Sequence, residues 1–295
     1  MARVFQQHSV MVDGVSVCVF ESGTRGAQQV LLVHATGFHA RCWDAVINYL
    51  PAQWQVFALD LRGHGRSDKM PPYTWDRFER DLAAVAKHFD LRDTIGVGHS
   101  LGGHCVAHLC ALEPDYFKRL VLVDPVIFAQ EMYGADMNQA TPLEDHPVSR
   151  RRSYFESWEA MYSRFEGRYP YSVWEPRVLR DYCELGVSPC LDRPGVELAC
   201  PPAVEASIYA GSYGADIYPL LEKIVQPVTL LRAKPRDPDS TVMDFSTSPT
   251  WPGLAGVMQN ATDIYLPELT HFMPMQVPQQ IAAYIAGPAE DDVAD

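Results

Sequence analysis

Short, wholly apolar runs punctuate the first half of the chain: Val30–Val33, Val56–Leu59 and Leu120–Val123. Runs of this kind, without polar alternation, belong to strands buried on both faces of a parallel sheet. Between them apolar residues return at helical spacing, as do Phe78, Leu82, Val85 and Phe89 within Trp75–Phe89, and Cys42–Leu50 reads as a second helix. Thr94–Val97 is a further strand, with a helix over Gly103–Leu109 soon after it. Val4–Phe20 differs. There apolar and polar residues alternate around Asp13-Gly14, the pattern of a hairpin at a sheet edge. Strands alternating with helices at this spacing predict an α/β fold, a doubly wound and mostly parallel sheet with right-handed crossovers.

The pattern changes between residues 128 and 218. Aromatic residues and prolines crowd this stretch, helical candidates fall at Arg152–Phe165 and Pro176–Leu185, and no buried-strand pattern appears. It reads as a helical cap inserted into the core, whose first part is 1–127 and whose second part is 219–287. The second part carries a strand at Pro227–Leu231, a short helix near Gly253–Met258, a strand at Asp263–Leu266 and a closing helix at Gln279–Ile285. An acidic tail, 288–295, is expected to fray.

Composition narrows the function classes. A formal net charge of -13 argues against nucleic acid and against anionic membrane surfaces as partners. The 7 cysteines are scattered without a C-x-x-C pair, which suits free thiols in a reducing compartment. The N-terminus has no apolar signal-peptide core, and no apolar run approaches a bilayer span. These features suggest a cytoplasmic protein, for which monomer and homodimer fit equally. Asp60 and the Arg62–Asp68 turn read as structural, and nothing resembles a metal-ligand cluster or a phosphate loop, so no metal or cofactor is expected.

The candidate chemistry centres on Gly98-His99-Ser100-Leu101-Gly102, a G-x-S-x-G between a strand and a helix. Such a strand, turn and helix form a nucleophile elbow, which lifts its serine hydroxyl out at the end of the sheet. With HATGFHARCW (His34 to Trp43), LDLRGHGRSD (Leu59 to Asp68), LVLVDP (Leu120 to Pro125) and ELTHFMP (Glu268 to Pro274), the chain resembles the α/β-hydrolase superfamily along nearly its whole length. The serine hydrolases of that superfamily, esterases and lactonases with a cap, are the nearest likeness. The resemblance implies a Ser, acid, His order, which makes Ser100 the nucleophile and His271, in the loop after the last strand, its base. The acid read here is Asp124, with Asp244 and Asp237 as alternatives. Asp124 ends the strand after the elbow helix, where a subset of the family keeps it; Asp244 and Asp237 follow the Pro227–Leu231 strand, the commoner position.

The oxyanion hole implied by the resemblance uses the backbone amides of Leu101 and Thr36. Ala35 stands where the family commonly has glycine, which is expected to restrict that loop. Phe38, Trp158 and Tyr162 are candidates for an apolar substrate pocket beneath the cap. The run Arg150–Arg152 most simply solvates or caps a helix, with contact to an anionic substrate as the alternative. Together these residues point to a cofactor-independent serine hydrolase for a carboxylic ester or lactone with an apolar or aromatic acyl or alcohol part. The alternatives are a C–C bond hydrolase on a diketone-type substrate, using the same triad, and a ligand-binding receptor on the same fold.

Overall fold

The computed structural model describes residues 3–134, 146–237, 239 and 244–287. The acidic tail lies outside them. An eight-stranded sheet runs through the core in the order β1-β2-β4-β3-β5-β6-β10-β11. Its strands are β1 (Gln6–Val12), β2 (Val15–Ser22), β3 (Gln29–Val33), β4 (Gln55–Leu59), β5 (Thr94–His99), β6 (Phe117–Val123), β10 (Val228–Arg232) and β11 (Ala261–Tyr265). The hairpin β1–β2 and the β2–β4 pair are antiparallel, and all other pairs are parallel. Asp13 and Gly14, both at positive φ, make the tight turn between β1 and β2, as a two-residue hairpin requires.

The apolar runs are apolar throughout because each strand feeds two cores. Leu31, Val33, Phe57, Leu59, Leu120 and Leu122 face one side, against α2 (Trp75–His88) and α3 (Leu101–Leu112). Val30, Leu32, Val56, Ala58, Val121 and Val123 face the other, against α1 (Asp44–Tyr49) and α9 (Pro278–Ala286). The expected helix near Gly253–Met258 is a single 3-10 turn, Leu254–Val257.

The segment between β6 and β10 is not purely helical. It holds a three-stranded antiparallel sheet, ordered β7 (Tyr154–Phe155), β9 (Val196–Leu198), β8 (Val187–Pro189), beside α4 (Trp158–Phe165) and α5 (Pro176–Leu185). Two further helices, α6 (Pro202–Ala210) and α7 (Tyr218–Leu221), lead back to the core, and α8 (Met273–Gln276) precedes α9. The helix expected from Arg152 begins only at Trp158. Ser157 caps it, its hydroxyl accepting from the Ala160 amide at 3.3 Å, while Tyr154 and Phe155 are spent on β7. A third apolar cluster joins this segment to the core through Phe38, Trp174, Tyr182, Phe272 and Met275.

Candidate active site

Ser100 stands between β5 and α3 with φ 58° and ψ -119°, a conformation that costs of order 1–3 kcal/mol and persists only when its surroundings impose it. They do. Its amide donates to the Val123 carbonyl at 3.0 Å, and its own carbonyl accepts from Gly103, His104 and Val126. The turn also brings α3 against β3, where a Cβ at Gly102 would lie 2.3 Å from the Val33 carbonyl oxygen. Only glycine fits there.

His271 follows β11. Its amide donates to the Ser246 carbonyl at 2.7 Å, and its carbonyl accepts from His99 Nε2 at 2.8 Å. Its Nδ1–H donates to Asp124 Oδ2 at 2.7 Å. Asp124 is fully buried at the end of β6, and its other oxygen accepts from the Ala233 amide (3.0 Å), Ser248 Oγ (2.5 Å) and Thr250 Oγ1 (3.2 Å). The structure therefore brings Asp124, and neither of the later aspartates, to His271. Asp244 Oδ1 accepts from the amide and hydroxyl of Ser246, and Asp237 Oδ1 from the Asp239 amide. The loop after β10 supplies hydroxyl donors to Asp124. An Nδ1–H held by a carboxylate leaves His271 Nε2 as the basic nitrogen.

Among the described residues, the amides of Thr36 and Leu101 find no hydrogen-bond acceptor. Leu101 opens α3, whose N-terminal dipole adds positive potential. The Thr36 loop is shaped by two buried histidines. His34 Nδ1–H donates to the Ala35 carbonyl at 2.7 Å while its Nε2 accepts from the Leu61 amide at 2.9 Å. His64 Nδ1–H donates to the Arg62 carbonyl at 3.0 Å while its Nε2 accepts from the Gly37 amide at 3.0 Å. Burial pushes each imidazole down to about 3, so both are neutral. His99, behind the elbow, is held well below its usual range by burial and by the neighbouring His271.

The aromatic candidates divide. Phe38 packs with ring centroids 6.2 Å from His99, 5.8 Å from Trp174, 5.4 Å from Tyr182 and 5.8 Å from Phe272. Trp158 and Tyr162 instead line an open groove of about 880 Å³ with Arg177, Arg180 and Asp181, and none of Ser100, Asp124 and His271 lines it. Trp174, Tyr182 and Phe272 surround Phe38, and Trp158 and Tyr162 pack, partly buried, against the same apolar cluster. Asp60 has a structural role, its carboxylate accepting from the Ala40 and Arg66 amides, both at 2.7 Å. Among the described residues no group of three or more His, Cys, Asp or Glu side chains is placed to hold a metal ion, and no helix is long and apolar enough to cross a membrane.

Residues 30–284 match the model of the alpha/beta hydrolase family. The chain belongs to that family. As an α/β hydrolase it is 38% identical over 105 residues to lipase LipV of Mycobacterium tuberculosis, covering 36% of this chain and 40% of LipV. With 2-(acetamidomethylene)succinate hydrolase of Mesorhizobium japonicum it shares 24% identity over 267 residues, 90% of this chain and 91% of that protein. The alignments with the first curated relatives span less than half of those proteins, 40% of LipV and 49% of a Streptomyces lividans non-heme chloroperoxidase. Among solved structures, the thioesterase domain from the curacin biosynthetic pathway superposes with a TM-score of 0.78 at 19% identity, covering 96% of this chain and all 100% of that one. E-2-(acetamidomethylene)succinate hydrolase superposes with a TM-score of 0.75 at 21% identity, over 96% of this chain and 98% of its own. At such identities these two likenesses speak to the fold.

Sequence reasoning passed over three contributors to the site. Ser248 and Thr250 are ordinary loop hydroxyls until Asp124 is placed beneath them. His64 gave no signal beyond its type, because its role lies in which backbone amide it faces, whereas the family resemblance already implied that His34 holds the loop by hydrogen bonding, as its bonds to Ala35 and Leu61 do.

Proposed function

We propose that this α/β hydrolase cleaves a small carboxylic ester or lactone through an acyl-enzyme formed on Ser100. The observation that carries the reading is the 2.7 Å bond from His271 to a fully buried Asp124, whose preceding residue, Val123, takes the amide of a serine held in the elbow conformation. His271 Nε2 takes the hydroxyl proton as Ser100 Oγ attacks the carbonyl carbon. The developing oxyanion is met by the Thr36 and Leu101 amides, and His271, now imidazolium, stays paired with Asp124. That proton then passes to the leaving alcohol oxygen as the bond breaks. Water, deprotonated by His271, attacks the acyl carbon, the bond to Ser100 Oγ breaks, and the His271 proton returns to Oγ as the acid is released. Phe38, Trp174, Tyr182 and Phe272 supply apolar surface for the acyl or alcohol part. The names of relatives, a lipase and a bifunctional esterase/perhydrolase among them, favour the same bond type.

Turnover of p-nitrophenyl esters from acetate upward tests this directly, with Ser100→Ala alongside. Loss of about 10⁶-fold in kcat is expected if the triad acts as a unit. A Ser100→Ala loss under about tenfold would remove Ser100 as the nucleophile. A second reading, hydrolysis of a bond other than an ester, is favoured by the relative aligned along 90% of this chain, whose name is that of a succinate-derivative hydrolase. Ester inertness together with a reactive Ser100 would bring it forward.

A further inference from the structure

A charged cluster lies against the oxyanion loop, outside the triad. Arg151 Nη1 donates to Glu205 Oε2 at 2.6 Å, and Nη2 donates to the Tyr182 hydroxyl at 3.0 Å. Glu205, on α6, presses on Gly37, which has φ +80° and where a Cβ would lie 2.6 Å from Glu205 Oε1. Gly37 directly follows Thr36. Tyr171, Tyr182 and Tyr209 surround the pair, and burial raises all three above the usual phenol range, so each keeps its hydroxyl proton. Contacts tie the cluster to the other side of the site as well. Tyr209 packs 5.0 Å from Phe245, the neighbour of Ser246, whose carbonyl takes the His271 amide at 2.7 Å.

An ion pair is a poor way to hold such a wall together, because the desolvation of two charges offsets most of their attraction. A carboxylate next to the oxyanion loop would also oppose the charge that forms there, unless a cation neutralises it. The cluster is rich in donors. Guanidinium has five N–H groups, and among the described residues the bonds to Glu205 and Tyr182 engage two of them. Trp174, 5% exposed in the adjoining aromatic wall, has an indole N–H with no acceptor among the described residues. A wall of donors beside a reacting carbonyl matches a ligand that brings acceptors and negative charge. The planar carboxylate suits the guanidinium fork best.

We propose that Arg151, for which Glu205 and the ligand compete, is a specificity residue that binds a free carboxylate on the substrate. The enzyme would then act on half-esters or lactones of dicarboxylic type in preference to neutral esters. This deepens the proposed function and rests on Ser100 being the nucleophile.

Two measurements separate the ideas. The first is calorimetric titration of succinate, glutarate and adipate into Ser100→Ala protein, alone and combined with Arg151→Gln or Glu205→Gln. At least one diacid is expected to bind. Its affinity should fall about tenfold or more with Arg151→Gln and rise with Glu205→Gln, which frees the guanidinium for the ligand. If no diacid binds, or both substitutions weaken binding alike, the pair is a strut and the proposal is overturned. The second compares kcat/KM for monomethyl glutarate and methyl valerate. The wild type should prefer the acid ester through KM, and Arg151→Gln should collapse that ratio. Equal Ser100-dependent turnover of both esters overturns the carboxylate subsite alone. Turnover that survives Ser100→Ala overturns the nucleophile reading, while the titrations still decide the role of Arg151. Far-ultraviolet circular dichroism checks each variant for folding. Should Arg151→Gln fail to fold, the wild-type ester preference and Glu205→Gln remain decisive.

Discussion

Lowering the pH from 7.5 to 5.5 should weaken this fold through His34 and His64, and the size of the effect follows from their bonds. Each ring uses both nitrogens in the neutral form, Nδ1 donating to a carbonyl and Nε2 accepting from a backbone amide. A proton added at Nε2 would face the N–H of Leu61 or Gly37 instead of a lone pair. Burial therefore holds both groups at about 3, against an ordinary 6.5. Because the unfolded chain binds the extra protons, the stabilisation is complete above pH 6.5 and drains away as the pH falls toward 3. At pH 5.5 the loss is about 1.4 kcal/mol per ring, and each further unit down removes about the same again from each. Burial lowers His39 and His99 too, so the total slope is steeper. Urea denaturation followed by tryptophan fluorescence at half-unit steps from pH 7.5 to 4.5 measures this slope. His64→Gln should reduce it by about 1.4 kcal/mol per pH unit, less one titrating ring. If wild type and His64→Gln show the same slope below pH 6.5, the neutral ring is not what holds Gly37. In that case the account of the oxyanion loop fails with it.

Two substitutions probe other parts of the site. Asp124→Asn should lower kcat on a p-nitrophenyl ester by about 10⁴-fold, because an amide favours the wrong His271 tautomer, while Asp244→Asn should leave kcat at the wild-type level; the reverse order would move the acid to the loop after β10. Gly102→Ala should cost at least about 2 kcal/mol of stability, since its Cβ would sit 2.3 Å from a backbone carbonyl that cannot rotate away, and an unshifted thermal midpoint would show that the contact between α3 and β3 can yield.

The core and the elbow were legible because their physics is local. A strand covered on both faces must be apolar at every position, and a turn this tight admits only glycine two places to either side of the serine, at Gly98 and Gly102. The carboxylate partner of His271 was legible only as Asp124 placed ahead of two alternatives, since the pairing depends on a contact between residues 147 apart in the chain. Three aspartates had suitable positions, and the choice among them rests on where Ala233, Ser248 and Thr250 aim their donors. Likewise the strands β7, β8 and β9 between β6 and β10 are two or three residues long, too short to show alternation. An aromatic count could mark Trp158 and Tyr162 as apolar surface, but it carries no information about which side of α4 meets the core. Arg151 finds its partner 54 residues on, so from sequence it was one of three adjacent arginines.

Ala35 shows how the oxyanion loop accommodates a departure from the common glycine. The resemblance implied glycine at 35, and a Cβ there was expected to restrict the loop. In the structure the left-handed position of this turn is Gly37, at φ +80°, and Ala35 is absent from the positive-φ residues. The Ala35 carbonyl accepts from the Phe38 amide at 3.1 Å and from His34 Nδ1 at 2.7 Å. Its backbone is thus fixed by hydrogen bonds that any L-residue could make. The need for glycine has moved to the position where Glu205 presses on the chain. The same residue that lets the turn close also lets the Arg151–Glu205 pair approach the Thr36 loop. Loop geometry and the charge beside it are therefore set at Gly37, and a side chain there would disturb both.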